Sequence, residues 1–233
     1  MKKTQSIPSC EFCFKQNDIF KHLSKDELDM LSYSKLCNFY ERGNVIYHEG
    51  NRNRGVYCVN SGIVKHYKTG IDGKEQIVRF SKKGDIFGFR SVLSEESACT
   101  SAKVIAQATL CFIPSDIFFS FLKKNPDFSM QIMKLSCREL GEANKYILDI
   151  SQKTVRERLA EILLLLYENF GVDEREILQI SLTREEIAGF VGTATESVIR
   201  ILSEFKKDKL IELNKRDIKL LEIKKLERIS NVF

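Results

Sequence analysis

Two groups of residues in this 233-residue chain have the types and spacing to do chemistry. The first is Thr195, Glu196, Ser197 and Arg200, within the segment Leu182 to Leu202. Arginine forks onto the O6 and N7 of guanine and glutamate accepts from the N4 of cytosine, so Glu196 with Arg200 suits base reading in a major groove. At i,i+4 on a helix the same two residues equally suit a plain surface ion pair. The second group is the cysteines, with Cys10-x-x-Cys13 early and Cys37, Cys58, Cys99, Cys111 and Cys137 further on. Seven is an odd number, and no export signal is present, which argues against a disulfide framework and leaves thiol redox chemistry or metal binding. Cys58, Cys99 and Cys137 are isolated and read as small buried apolar side chains. His22, His48 and His66 share no metal-ligand spacing and read as surface or packing residues.

Base-reading side chains need a scaffold, and the sequence supplies one. Thr183 with Glu186 forms a capping box that opens a short helix near Arg184, with Ile187, Ala188 and Val191 on its buried face. Gly192 permits a tight turn, and a second helix opens near Ala194 with Val198, Ile201, Leu202 and Phe205 inward. Two short helices joined through a glycine make a helix-turn-helix, whose second helix enters the major groove N-terminus first. The basic stretch after Phe205 runs into a strand, and Ile218 to Ile223 returns across Asn214–Asp217, which makes a winged helix. Lys206, Lys207, Lys209, Lys215 and Arg216 then lie where phosphates pass, with Thr183 and Thr193 completing the DNA-facing set.

Upstream, residues 1–22 lack a regular apolar period and read as an arm. Ser24 and Glu27 form another capping box. From Leu36 to about Ile113, short Val-, Ile-, Tyr- and Phe-rich runs punctuated by glycine predict a β-roll, with a hairpin at Asp72-Gly73 between Ile63–Thr69 and Glu75–Phe80. A helix follows from about Asp127 to Ile150. Met133, Leu140, Ala143, Ile147 and Ile150 form a coiled-coil-like seam along it, with the polar Asn144 among them. That seam packs either on the chain's own β-domain or on a second copy. Ser151 to Thr154 reads as a hinge before an apolar helix from Val155 to Phe170, stopped by Gly171. The resulting organisation is α+β: arm 1–22, roll 23–126, long helix 127–150, DNA-binding domain 151–233.

Composition sets the outer limits. Apolar residues at 43% and charged residues at 30% describe a globular chain with a sizeable core. The longest apolar run, Ile162 to Tyr167, falls far short of the ~20 residues of a membrane span, so a cytoplasmic protein is expected. A net charge of +5 permits a polyanionic partner. Neither a glycine-rich phosphate loop nor a nucleophile–base set nor a His/carboxylate metal motif is visible, so an enzyme is not expected. Two functions compete: a dimeric DNA-binding transcription regulator, and a redox or small-molecule-binding module whose C-terminal domain binds protein.

The order of arm, glycine-punctuated roll, seam helix and winged helix-turn-helix resembles the Crp/Fnr family of bacterial transcription regulators over nearly the whole chain. Lys83-Gly84-Asp85-Ile86-Phe87-Gly88 is similar to the family's glycine-framed turn in the roll, and Val191-Gly192 through Arg200 to its recognition segment. The resemblance implies a homodimer joined through Met133, Leu140, Ala143 and Ile147, an inverted-repeat operator, and RNA polymerase as a partner. The cyclic-AMP-binding members place a glutamate after the second glycine of that turn and an arginine before a later serine. Phe89 and Thr100 stand there instead and only Ser101 matches, which argues against cyclic AMP. Arg79 and Arg90 are the residues left to anchor another anion. The oxygen-sensing Fnr branch holds an iron–sulfur cluster between arm cysteines and one roll cysteine. Cys10-x-x-Cys13 resembles the arm pair and Cys111, within Leu110 to Pro114, the roll cysteine. The third arm cysteine is missing, so Cys37, with Asp18 in reserve, is the implied fourth ligand.

Overall fold

A computed structural model describes residues 19–230; Cys10, Cys13 and Asp18 lie outside the described residues. Those residues fall into two compact units, 19–68 with Val78–Gly141, and Thr69–Ile77 with Glu142 onward.

The first unit opens on a short 3-10 turn, Phe20–His22, and helix α1, Lys25–Ser34. The Ser24 hydroxyl accepts from the Glu27 amide at 3.3 Å and Glu27 accepts from the Ser24 amide at 2.7 Å, the reciprocal cap its sequence predicts. The end of the expected arm is packed, because Phe20 is apolar and buries its ring against Phe128, centroids 6.0 Å apart. Burying such a ring is worth about 1.5–3 kcal/mol.

Strands β1 (Leu36–Tyr40), β2 (Val45–Tyr47), β3 (Gly55–Thr69), β4 (Glu75–Ser81), β5 (Ile86–Phe87) and β6 (Ser101–Pro114) form one sheet in the order β1-β6-β3-β4. β2 pairs with β6, and β5 with β3. Helix α2, Phe89–Ser94, follows β5. The predicted hairpin forms at the tip of β3 and β4, closed by the Gly70 amide on the Lys74 carbonyl at 2.9 Å.

Helix α3 (Ser115–Lys124) and the part of α4 (Pro126–Gln152) up to Gly141 complete the unit. The sequence predicts the start of α4 at about Asp127, one residue from its observed start, but assigns no helix to α3. The break falls at Asn125, whose extended backbone suits the residue before a proline, and whose side chain caps the new helix by accepting from the Phe128 amide at 3.0 Å. Phe118, Phe121, Phe128 and Ile132 pack with Phe20, Leu23, Cys58 and Cys111 in one apolar cluster. The seam residues lie on another face of α4: Met133, Leu140, Ala143, Ile147 and Ile150 are all exposed, Ile147 by 66%. Within the first unit, Met133 and Leu140 do not pack on the roll.

In the second unit, α4 runs on through Gln152, so the expected hinge shrinks to Lys153 and Thr154. Thr154 caps α5, Val155–Phe170, in a capping box with Glu157. Then come α6 (Arg184–Val191), α7 (Thr195–Lys207), the hairpin β7 (Ile211–Asn214) with β8 (Asp217–Leu220), and α8 (Ile223–Ser230). The sequence reading carries β8 on to Ile223. It stops earlier because the Leu221 and Glu222 amides both turn back onto the Leu210 carbonyl, which frees Ile223 to begin a helix that buries Leu226 against α5.

Candidate nucleic-acid interface

The interface rests on a turn set by local chemistry. The Thr183 hydroxyl accepts from the Glu186 amide at 3.0 Å, and Glu186 accepts from the Thr183 amide at 2.9 Å. Thr183 is thus a capping residue of α6. Ile187, Ala188, Phe190 and Val191 are its buried side chains. Gly192 closes the helix at φ +74°, its amide on the Ala188 carbonyl at 2.9 Å, a left-handed position where a side chain costs about 1–2 kcal/mol. Thr193 follows in the turn, half-buried, its amide on the same carbonyl at 3.1 Å.

Arg158 of α5 holds this turn from behind. Its Nε donates to the Val191 carbonyl at 3.0 Å, Nη2 to Gly192 at 3.4 Å and Nη1 to Lys153 at 2.7 Å. Gln76, on the hairpin tip that belongs to this unit, donates to the Tyr146 hydroxyl at 2.6 Å and to the Gly189 carbonyl of α6. The sequence reading assigns no role to either residue, since the α6 and turn carbonyls they hold lie far away in sequence.

Helix α7 buries Val198, Ile201, Leu202 and Phe205 and turns Glu196, Ile199, Arg200 and Ser203 outward at the same three-four spacing. Thr195 and Ser197 are half-buried at the edges of that stripe. Ile199, 48% exposed, is not among the outward residues expected from the sequence, although its spacing places it beside Glu196 and Arg200. An exposed aliphatic group there suits the thymine methyl.

The surface ion pair that Glu196 and Arg200 could equally have made is not formed, and Arg200 pairs elsewhere. Arg200 Nη1 donates to Glu204 Oε1 at 2.7 Å, and the second oxygen of Glu204 takes Arg156 at 2.9 Å. Arg156 also reaches Asp208 at 3.1 Å and lies over the Phe205 ring, 4.6 Å from its centroid.

Lys206 and Lys207 are exposed in the last turn of α7, where cations also favour the helix dipole. Lys209 is exposed beyond it, and Lys215 and Arg216 are exposed at the wing tip, Lys215 with φ +53°. Arg184 is a strut the sequence reading overlooks. It donates from Nη2 to the Lys215 carbonyl at 2.8 Å, while its buried Nη1 has no hydrogen-bond partner among the described residues.

The roll residues considered for an effector are largely engaged. Phe89 is buried in the apolar cluster, Thr100 is half-buried, and the buried Ser101 hydroxyl accepts from the Glu49 amide at 2.9 Å. Arg79 is paired with Glu139, and Arg90 with Glu96 at 3.1 Å. His66 is buried, 2.8 Å from the Ser81 hydroxyl and edge-on to Phe87. Burial, reinforced by the nearby Arg79 charge, holds its pKa well below the usual imidazole value.

The cysteines depart most from expectation. Cys37 and Cys111 are directly opposite on β1 and β6 and are joined in a single disulfide, not held as the pair of cluster thiolates that the resemblance implied. Cys58 is buried as expected, whereas Cys99 and Cys137 are exposed. A disulfide sulfur is not a thiolate, so in this state Cys37 and Cys111 do not fit an iron–sulfur cluster. No group of three metal-ligating side chains occurs among the described residues.

Comparison with known proteins agrees with this anatomy. Residues 37–125 match the cyclic nucleotide-binding domain model and residues 157–229 the Crp-like helix-turn-helix domain model. The chain is 29% identical over 210 residues to the fumarate and nitrate reduction regulatory protein of Vibrio cholerae, covering 89% of this chain and 82% of that protein. It is 28% identical to electron transport regulator A of Shewanella oneidensis, covering 89% and 84%. Among solved structures, FixK2 from Bradyrhizobium japonicum superposes with a TM-score of 0.77 at 24% identity, over 84% of this chain and 97% of that one.

The fold and the interface together define a DNA-binding transcription regulator, in which a β-roll of the cyclic-nucleotide-binding type precedes a winged helix-turn-helix. The chain belongs to the Crp/Fnr family.

Proposed function

We propose that this regulator acts as a homodimer on an inverted-repeat operator, each α7 reading one half-site with Glu196, Arg200 and Ile199 while Thr195 and Ser197 support them at its edges. Thr183, Thr193, Lys206 and Lys207 flank that face and position it on the phosphates. The observation that carries the reading is the stripe of Glu196, Ile199, Arg200 and Ser203 turned outward from a fully buried opposite face. The dimer forms through the exposed seam of Met133, Leu140, Ala143 and Ile147, which matches what a helix needs to pair with its twin. RNA polymerase is its partner at promoters and the cytoplasm its compartment, in line with family membership; no described helix is long and apolar enough to cross a membrane. The protein is a regulator and not an enzyme, as its relatives are regulators.

The signal is redox in character. Relatives named for fumarate and nitrate reduction and for electron transport support this, as does the cysteine content of the roll. An iron–sulfur cluster on Cys10, Cys13 and Cys111, with Cys37 or Asp18 as the fourth ligand, is one form such sensing takes, and it requires the Cys37–Cys111 bond to open first. Iron and sulfide analysis of anaerobically reduced protein tests that form. Operator selection followed by salt titration tests the function: specific DNA should bind well above random DNA, with both falling steeply as salt rises. Equal affinity for all sequences, or no salt slope, refutes it.

A further inference from the structure

Cys111 stands between two other cysteines. On β6 it lies directly opposite Cys37 of β1 on one side and Cys58 of β3 on the other. Directly opposed residues of neighbouring antiparallel strands present their side chains to the same face, so the three form a row across the sheet. That face is the apolar cluster of Phe20, Leu23, Phe118 and Phe128, in which Cys58 and Cys111 are buried and against which Cys37 packs. The bond Cys37–Cys111 is formed, and the Cys58 thiol occupies the next place in the row.

We propose that this row is a reversible thiol–disulfide switch, in which the roll gains or loses two electrons at Cys37–Cys111 and Cys58 serves as the exchange partner. The inference rests on the redox control proposed above and supplies it without a metal. The oxidant is a low-molecular-weight disulfide. In the reduced roll, the Cys37 thiolate, the least buried of the three, attacks one sulfur of the small disulfide. A mixed disulfide forms on Cys37, and one small thiolate leaves and takes up a proton. Cys111 then gives up its proton and attacks Cys37 Sγ, expelling the second small thiol. Two protein thiols and one small disulfide thus become the Cys37–Cys111 bond and two small thiols, and the protein loses two electrons and two protons. Exchange is redox-neutral: Cys58 attacks Cys111 Sγ, Cys37 departs as a thiolate, and the proton of Cys58 passes to Cys37.

The position gives the switch something to act on. β1 is the end strand of the ordered sheet, and the bond ties it to β6 across 74 residues of sequence. Reduction removes that covalent tie and leaves β1 held by its ladder and by the packing of Cys37 on the cluster that also seats Phe20 and Leu23.

The test uses the full chain, stripped of metal with EDTA and equilibrated in graded mixtures of oxidised and reduced glutathione. It is then quenched, alkylated and mapped by mass spectrometry, with operator binding followed by fluorescence anisotropy. Cys37 and Cys111 should become alkylated together in one two-electron transition, and operator affinity should change at least about fivefold across it. Cys37→Ser should form Cys58–Cys111 under oxidising mixtures, and this arm stands even where Cys111→Ala fails to fold. Alkylation of Cys111 at every ratio, or a Cys111→Ala protein that responds like the parent, overturns the switch. If affinity follows only iron- and sulfide-loaded protein, the switch is wrong and redox control stands. If affinity follows neither treatment, redox control itself is wrong.

Discussion

Arg200 is bound to Glu204, one turn towards the C-terminus, and not to Glu196, one turn towards the N-terminus. Glu196 is therefore left facing solvent at the leading end of α7, and Arg200 is held by a pair exposed enough to contribute at most about 1 kcal/mol. Such a pair yields readily to a guanine edge. Arg200→Ala should cost about 1–3 kcal/mol of operator binding and relax preference at one or two base pairs. Lys206→Ala and Lys207→Ala should weaken all sequences alike and lower the salt slope by about 1. Anisotropy titrations on matched and mismatched operators distinguish the two. A uniform loss in Arg200→Ala would make that residue a phosphate contact.

The seam carries its own reporter. Cys137 is exposed on α4, four residues after Met133 and three before Leu140, in register with the residues proposed to meet a second copy. Mild oxidation should give a disulfide-linked dimer on non-reducing gels, and Cys137→Ser should abolish it. Leu140→Glu should shift the protein to monomer in sedimentation, since an unpaired carboxylate in an apolar interface is costly.

His66 makes stability depend on pH. Its pKa in the folded roll is depressed, so below the unfolded value of about 6.5 the unfolded chain binds the extra proton and the folded chain does not. Stability should therefore be complete above pH 7 and fall progressively as the pH drops through 6 towards 5. Thermal unfolding at these pH values should show that slope in the parent and a shallower one in His66→Gln. Equal slopes would place the titrating group elsewhere.

Gly192→Ala should destabilise the helix-turn-helix by about 1–2 kcal/mol, because alanine at φ +74° meets the left-handed penalty. Hydrogen exchange at α6 and α7 amides would report the loss locally.

Much of this was legible because the signals are short in range. The capping boxes at Ser24 and Thr183, the Asp72-Gly73 hairpin and the three-four spacing of α7 each depend on residues within two turns of one another. The unseen features are long in range. Cys37 meets Cys111 because β1 pairs with β6 and not with its neighbour in sequence; only the family resemblance set the two at one site, and nothing near Cys37 encodes the strand pairing or the bond. The starts of α4 and α5 were also legible, near Asp127 and at Val155, whereas helix α3 and the Thr154–Glu157 capping box went unassigned although the latter has the same pattern as Thr183 with Glu186. Arg158 gave no local sign of its hold on the turn, since Val191 and Gly192 lie more than thirty residues away.

That arginine has a consequence for the economy of recognition. One planar guanidinium grips the Val191 and Gly192 carbonyls at the turn and the Lys153 carbonyl between α4 and α5. The turn that leads from α6 to α7 is thus braced before DNA arrives, by bonds that no nucleotide takes part in. A reading head rigid before the encounter has no turn to order upon docking, and ordering loops is among the larger entropic penalties of association. The contacts made by Glu196, Ile199 and Arg200 are then available in full for telling one base sequence from another.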